Sequence, residues 1–67
     1  MNDFVQGVVY AVSMLVTLND EPTLAADILE QAGYLDMDCR ALDETEQQAM
    51  RQLEKLDARC QFKWERS

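Results

Sequence analysis

The side chains in this 67-residue chain that first suggest chemistry are two cysteines, Cys39 and Cys60, and a pair of carboxylates, Asp36 and Asp38. Thiolates bind soft metals, act as nucleophiles or join as disulfides, and clustered carboxylates hold hard cations. Each use needs companions. The chain has no His, and its cysteines stand far apart without a C-x-x-C pair, which argues against a zinc site. The stretch around Asp36 and Asp38 lacks the spacing of a calcium loop and reads as solvated turn carboxylates. Ser13 lies in an apolar run with no base nearby, and no glycine-rich phosphate loop is present. The expectation is a non-enzyme with no catalytic residue, cofactor, metal or small-molecule substrate. The cysteines then read as small apolar core residues, kept reduced in a cytoplasm, although a single disulfide between them is arithmetically possible.

A second constellation is basic. Arg51, Lys55, Arg59 and Lys63 recur every four residues, with Phe62 and Trp64 beside them. Bases interleaved with aromatics can grip nucleic acid. The charge balance opposes this: 13 acids against 6 bases give a net charge of -7, and Glu54, Asp57 and Glu65 share the same stretch. A helix-turn-helix reading of AADILEQAGYLDMDCRAL meets the same objection, since Asp36 and Asp38 outweigh Arg40. These six residues are therefore candidates for contact with a protein partner, Phe62 above all if its helix continues and leaves it exposed.

The elements that must position these residues follow from periodicity. Phe4 to Leu18 carries no charge. Its valines favour strands, but its length and lack of strict alternation favour a helix, capped by Asn2 or Asp3. Gln6, Ser13 and Thr17 gather in one narrow strip of the helical wheel, and apart from the small Gly7 everything else is apolar, so burial on more than one side is expected. Asn19 and Asp20 break this helix, Asp20 or Glu21 caps a second, Pro22 occupies its first turn and Gly33 ends it. Leu24, Ile28, Leu29 and Ala32 form the stripe of this second helix, with Asp27 and Glu30 outward. Asp43 and Glu46 resemble a capping box, and the following residues run without Gly or Pro through Phe62. Ala49, Leu53, Leu56, Cys60 and Trp64 would line the apolar face of this third helix, and Met14, Met37 and Met50 would fill core space.

The expected fold is all-α: one small three-helix, hairpin-like domain over 1–67, with helices near 3–18, 22–32 and 44–62 and a frayed tail at 63–67. So short a chain buries too little surface to be comfortably stable alone. With metal and disulfide set aside, a partner chain is the expected supplement. Phe4, Val5, Val8, Val9, Val12, Leu15 and Val16 of the first helix, Leu24, Ile28 and Leu29 of the second, and Leu53 and Leu56 of the third are the candidates for core and self-association. The apolar run is too short for a bilayer span and lacks the basic flank of a secretory signal. A cytoplasmic protein without membrane contact is expected.

Charge divides unevenly. Residues 1–39 hold seven acids and no base, while 40–67 hold six of each. Either basic and acidic edges pair within the molecule, or the acidic half binds a basic protein and acts as an anionic decoy of a nucleic-acid-binding host protein.

Taken together, MNDFVQGVVYAVSMLVTLNDEP followed by TLAADILEQAGY resembles the small acidic accessory proteins encoded between the exonuclease and excisionase genes of lambdoid bacteriophages and prophages. The resemblance extends over the full length. It implies an early-expressed helical factor in the host cytoplasm that modulates host physiology or phage development through protein contacts, and it carries no site residues across. The function expected is thus a non-enzymatic interaction module that forms a homodimeric helical bundle and engages a host or phage protein.

Overall fold

The structure, a computed structural model, describes residues 3–64. Three helices, α1 (Asp3–Thr17), α2 (Pro22–Ala32) and α3 (Glu44–Leu56), pack against one another in a small all-α domain. Among the described residues no helix is long and apolar enough to cross a membrane.

The turns that separate the helices have local causes. Asp20 takes a left-handed conformation (φ 53°), which an Asp tolerates better than most residues, and Pro22 opens α2 where a missing N–H costs nothing. Glu21 stands at the N-cap of α2 but its side chain makes no cap bond, so neither Asp20 nor Glu21 caps the helix as expected. Of the two cap candidates for α1, Asn2 lies outside the described residues and Asp3 belongs to the first helical turn. Gly33 closes α2 at φ 81°, with its N–H donating to the Glu30 carbonyl and that of Tyr34 to the Leu29 carbonyl, the paired bonds of a Schellman stop. Asp43 caps α3 by accepting from the Glu46 N–H at 2.8 Å.

The core sits where the three helices meet. Val9, Val12 and Val16 of α1 face Ala25, Ala26 and Leu29 of α2 and Ala49, Met50 and Leu53 of α3 within it, and Val5, Val8, Leu15 and Ile28 are partly buried against it. The stripe of α2 is thus rotated from the expected one: the small Ala25 and Ala26 turn inward, while Leu24 is largely exposed. Leu56 is likewise exposed, because the inward line of α3 runs through Glu46, Ala49, Met50 and Leu53. Phe4 also lies outside the core.

The largest departure from expectation lies beyond Leu56. The third helix does not continue to Phe62. Asp57 adopts an extended conformation, and its carboxylate accepts from the Arg59 N–H at 3.0 Å, a side-chain turn that competes with helix. Residues 57–64 instead form a strap that returns across the loop after α2. Gln61 and Lys63 donate to the Leu35 and Met37 carbonyls, and Cys39 donates to Lys63, with one parallel bridge between Asp38 and Lys63. Because the two segments run parallel, α3 serves as the crossover such pairing requires. Of the tail expected to fray at 63–67, residues 63–64 are therefore pinned, and 65–67 lie outside the described residues.

One buried group is left over in the core. The Ser13 hydroxyl is shielded by the surrounding packing and has no hydrogen-bond partner among the described residues. Replacing it removes an uncompensated polar atom without leaving a large void. Ser13→Ala is expected to raise stability by up to about 1 kcal/mol, or several degrees in Tm. A lower midpoint in thermal or urea denaturation would refute this.

Candidate interaction surface

Only one side of α1 faces the core. On the opposite side Phe4, Gly7, Ala11 and Leu18 follow one another at helical spacing, with the partly buried Val8, Met14 and Leu15 beside them. Phe4, Tyr10 and Leu18 remain 66%, 60% and 75% exposed. The Phe4 ring meets Tyr34 edge-on at 6.4 Å, which fixes one end of the stripe on the loop after α2. No charged residue interrupts positions 4–18; the nearest carboxylates, Asp3, Asp20 and Glu21, stand beyond the two ends. Gln6, Ser13 and Thr17 are divided by the packing. Ser13 turns inward, Gln6 donates to the Glu46 carboxylate at 2.9 Å, and the Thr17 hydroxyl donates to the Ser13 carbonyl.

The second region is the strap. Glu54 holds it at two points, accepting from the Phe62 N–H at 2.7 Å and from the Trp64 indole N–H at 2.9 Å. Arg51 lies 4.0 Å over the Trp64 ring, and Phe62 and Trp64 meet edge-to-face at 6.2 Å. Phe62 is consequently buried, at 7% exposure, and does not serve as a free anchor for a partner. Arg59 swings away from α3 and bridges Asp27 at 2.8 Å, Glu30 at 3.0 Å and Asp57 at 2.8 Å. The hydrogen bonds it donates to Asp57 and then to Asp27 hold the Arg59 guanidinium well above its ordinary pKa. Lys63 donates to the Asp36 carbonyl at 3.0 Å, and Lys55 stays exposed on α3. The expected basic stripe is thus dispersed: Arg51 stacks, Arg59 ties the strap to α2, and Lys63 turns toward the α2–α3 loop.

The chemistry-bearing side chains are occupied structurally. Arg40 grips Asp38 through its guanidinium and its backbone N–H, holding that carboxyl down to about 2. Cys39 and Cys60 are free and buried. Burial pushes the Cys39 thiol up to about 12 and the Cys60 thiol up to about 11, with Glu54 raising Cys39 further and Asp57 raising Cys60. Among the described residues no group of three or more Cys, Asp or Glu side chains is arranged to hold a metal ion.

Comparison with protein-family models, curated proteins and solved structures finds no match to this chain.

Glu54, expected on a flank of the third helix, latches the strap, and Glu46, expected in a capping box with Asp43, is also buried against Gln6. The available signal was compositional. Asp57 interrupts a run of strong helix formers, and the Cys60, Phe62 and Trp64 that follow have weaker helix preference.

Two outcomes follow from this arrangement. Glu54→Ala leaves the Phe62 and Trp64 donors without their acceptor and is expected to cost about 1–3 kcal/mol. The emission of Trp64, the only tryptophan, should shift to longer wavelength as the strap loosens; unchanged emission and denaturation midpoint would refute the latch. For the thiols, a folded pKa above the ordinary value of 9.0 means stability that is complete below that value and is lost as pH climbs toward about 11 and about 12. At pH 7.5 their reaction with a disulfide reagent should be at least ~100-fold slower in the native protein than in denaturant. Equal rates would show that the thiols are accessible.

Proposed function

We propose that this chain is a non-enzymatic protein-interaction module whose first helix associates, through its charge-free outer face, with an uncharged apolar helix face of another polypeptide. The observation that carries this reading is that stripe, from Phe4 to Leu18, left uncovered by a domain that buries the opposite side of the same helix. Contiguous apolar surface on a small soluble-type domain marks a contact site. The two thiols, the residues best suited to covalent chemistry, are buried and protonated near neutral pH, which supports a role without catalysis.

The resemblance to lambdoid accessory proteins supplies the setting: a bacteriophage early factor acting by protein contact in the host cytoplasm. The alternative, an anionic decoy of a nucleic-acid-binding protein, has weaker support, because Asp27, Glu30, Asp38 and Asp57 are engaged by Arg59 and Arg40 within the chain.

Photocrosslinking in bacterial cells tests the reading. A photoreactive phenylalanine analogue replacing Leu18 should form a protein adduct, whereas the same analogue replacing Gln52, exposed on α3, should not. No adduct from position 18, or equal adducts from both positions, would refute it.

A further inference from the structure

We infer that the occupant of the α1 face is a second copy of this chain, docked antiparallel so that Ala11 lies on the twofold axis and Gly7 of each copy receives Leu15 of the other. This rests on the proposal that α1 is the interaction surface, and it names the partner.

Gly7 points to a close approach. It sits in the interior of α1, where glycine is worse than alanine by roughly 1 kcal/mol, and a Cβ built there would meet nothing within 4 Å. Neither a positive φ nor an intramolecular contact calls for it. A notch that the folded chain does not use is suited to a side chain arriving from outside.

The stripe is also self-complementary. Reversing α1 about Ala11 brings Phe4 opposite Leu18, Gly7 opposite Leu15 and Val8 opposite Met14. Bulky side chains then meet at the ends, the exposed part of Leu15, half-buried against its own core, covers each notch, and the small Ala11 lets the helices cross closely. Isologous pairing of this kind is how a twofold dimer uses one patch twice. The contact spans four turns of helix, about 22 Å.

Charge selects the same occupant. Between Asp3 and Asp20 the stripe is flanked on one side by Gln6, Tyr10 and Thr17, so a partner helix with basic residues along its length would find no carboxylates of α1 to pair with there. The partner face must be uncharged over four turns. Among the described elements only α1 has that character. In the antiparallel pair Asp3 of one copy approaches Asp20 and Glu21 of the other, so screening by salt should favour association.

Analytical ultracentrifugation of the full chain tests this, with far-UV circular dichroism confirming that each variant is folded. The wild type should dimerise at micromolar concentration and associate more tightly as NaCl rises from 50 to 500 mM. Gly7→Leu, which improves helix propensity and whose Cβ meets nothing within 4 Å in the monomer, should weaken dimerisation at least tenfold by filling the notch. Ala11→Asp should abolish it. A monomeric wild type at 100 µM, an affinity that falls with salt, or a Gly7→Leu variant that dimerises as well as wild type would overturn the inference. An adduct from position 18 to a different protein, together with a monomeric purified chain, would overturn the self-pairing while leaving the interaction surface in place. An adduct of twice the chain's mass would support both.

Discussion

Everything in this fold answers to a helix with too few polar residues to face water and too few neighbours to be enclosed. α1 is apolar around most of its circumference, but the described residues supply only two further helices and a strap. Ala25 and Ala26 let α2 approach closely, and Met50 and Leu53 fill the space from α3. That covers one side. The opposite side remains uncharged and open among the described residues.

The charged residues serve mainly to hold the cover in position. Arg59 draws two acids of α2 and Asp57 together, and Glu54 fastens the strap to α3 from within. Individually, exposed ion pairs contribute little. Glu54 differs in kind, since its two oxygens satisfy a backbone donor and an indole donor that the packing would otherwise strand. The uneven division of charge along the chain is thus partly resolved by folding: the second half brings its bases to the first half's acids, most clearly through Arg59.

The all-α class, the helix starts at Pro22 and after Asp43, and the stop at Gly33 were legible in the sequence because each is written in local backbone chemistry. The rotation of α2 was harder to see. Leu24 and Ile28 look like the stronger apolar pair, whereas close helix packing favoured the small Ala25 and Ala26. The end of α3 at Leu56 departs from expectation for a related reason. Local propensity extends a helix through residues 57–62, but the burial of Phe62, the Glu54 bonds and the backbone pairing with 35–39 outweigh it, and none of those gains is visible in a single helical wheel. On the open face of α1, the absence of charge from positions 4–18 was plain in the sequence. Which of its apolar residues face outward depended on where α2 and α3 dock.

The parallel pairing of the strap with the loop after α2 also orders events in time. α1 and α2 are joined by a short turn and can meet early, while residues 61–63 reach 35–39 only after α3 has been brought into place, a more costly closure of chain. Trp64 rides on that last-made contact. In a refolding experiment its fluorescence would act as a clock for completion of the domain, running behind the helical signal rather than with it.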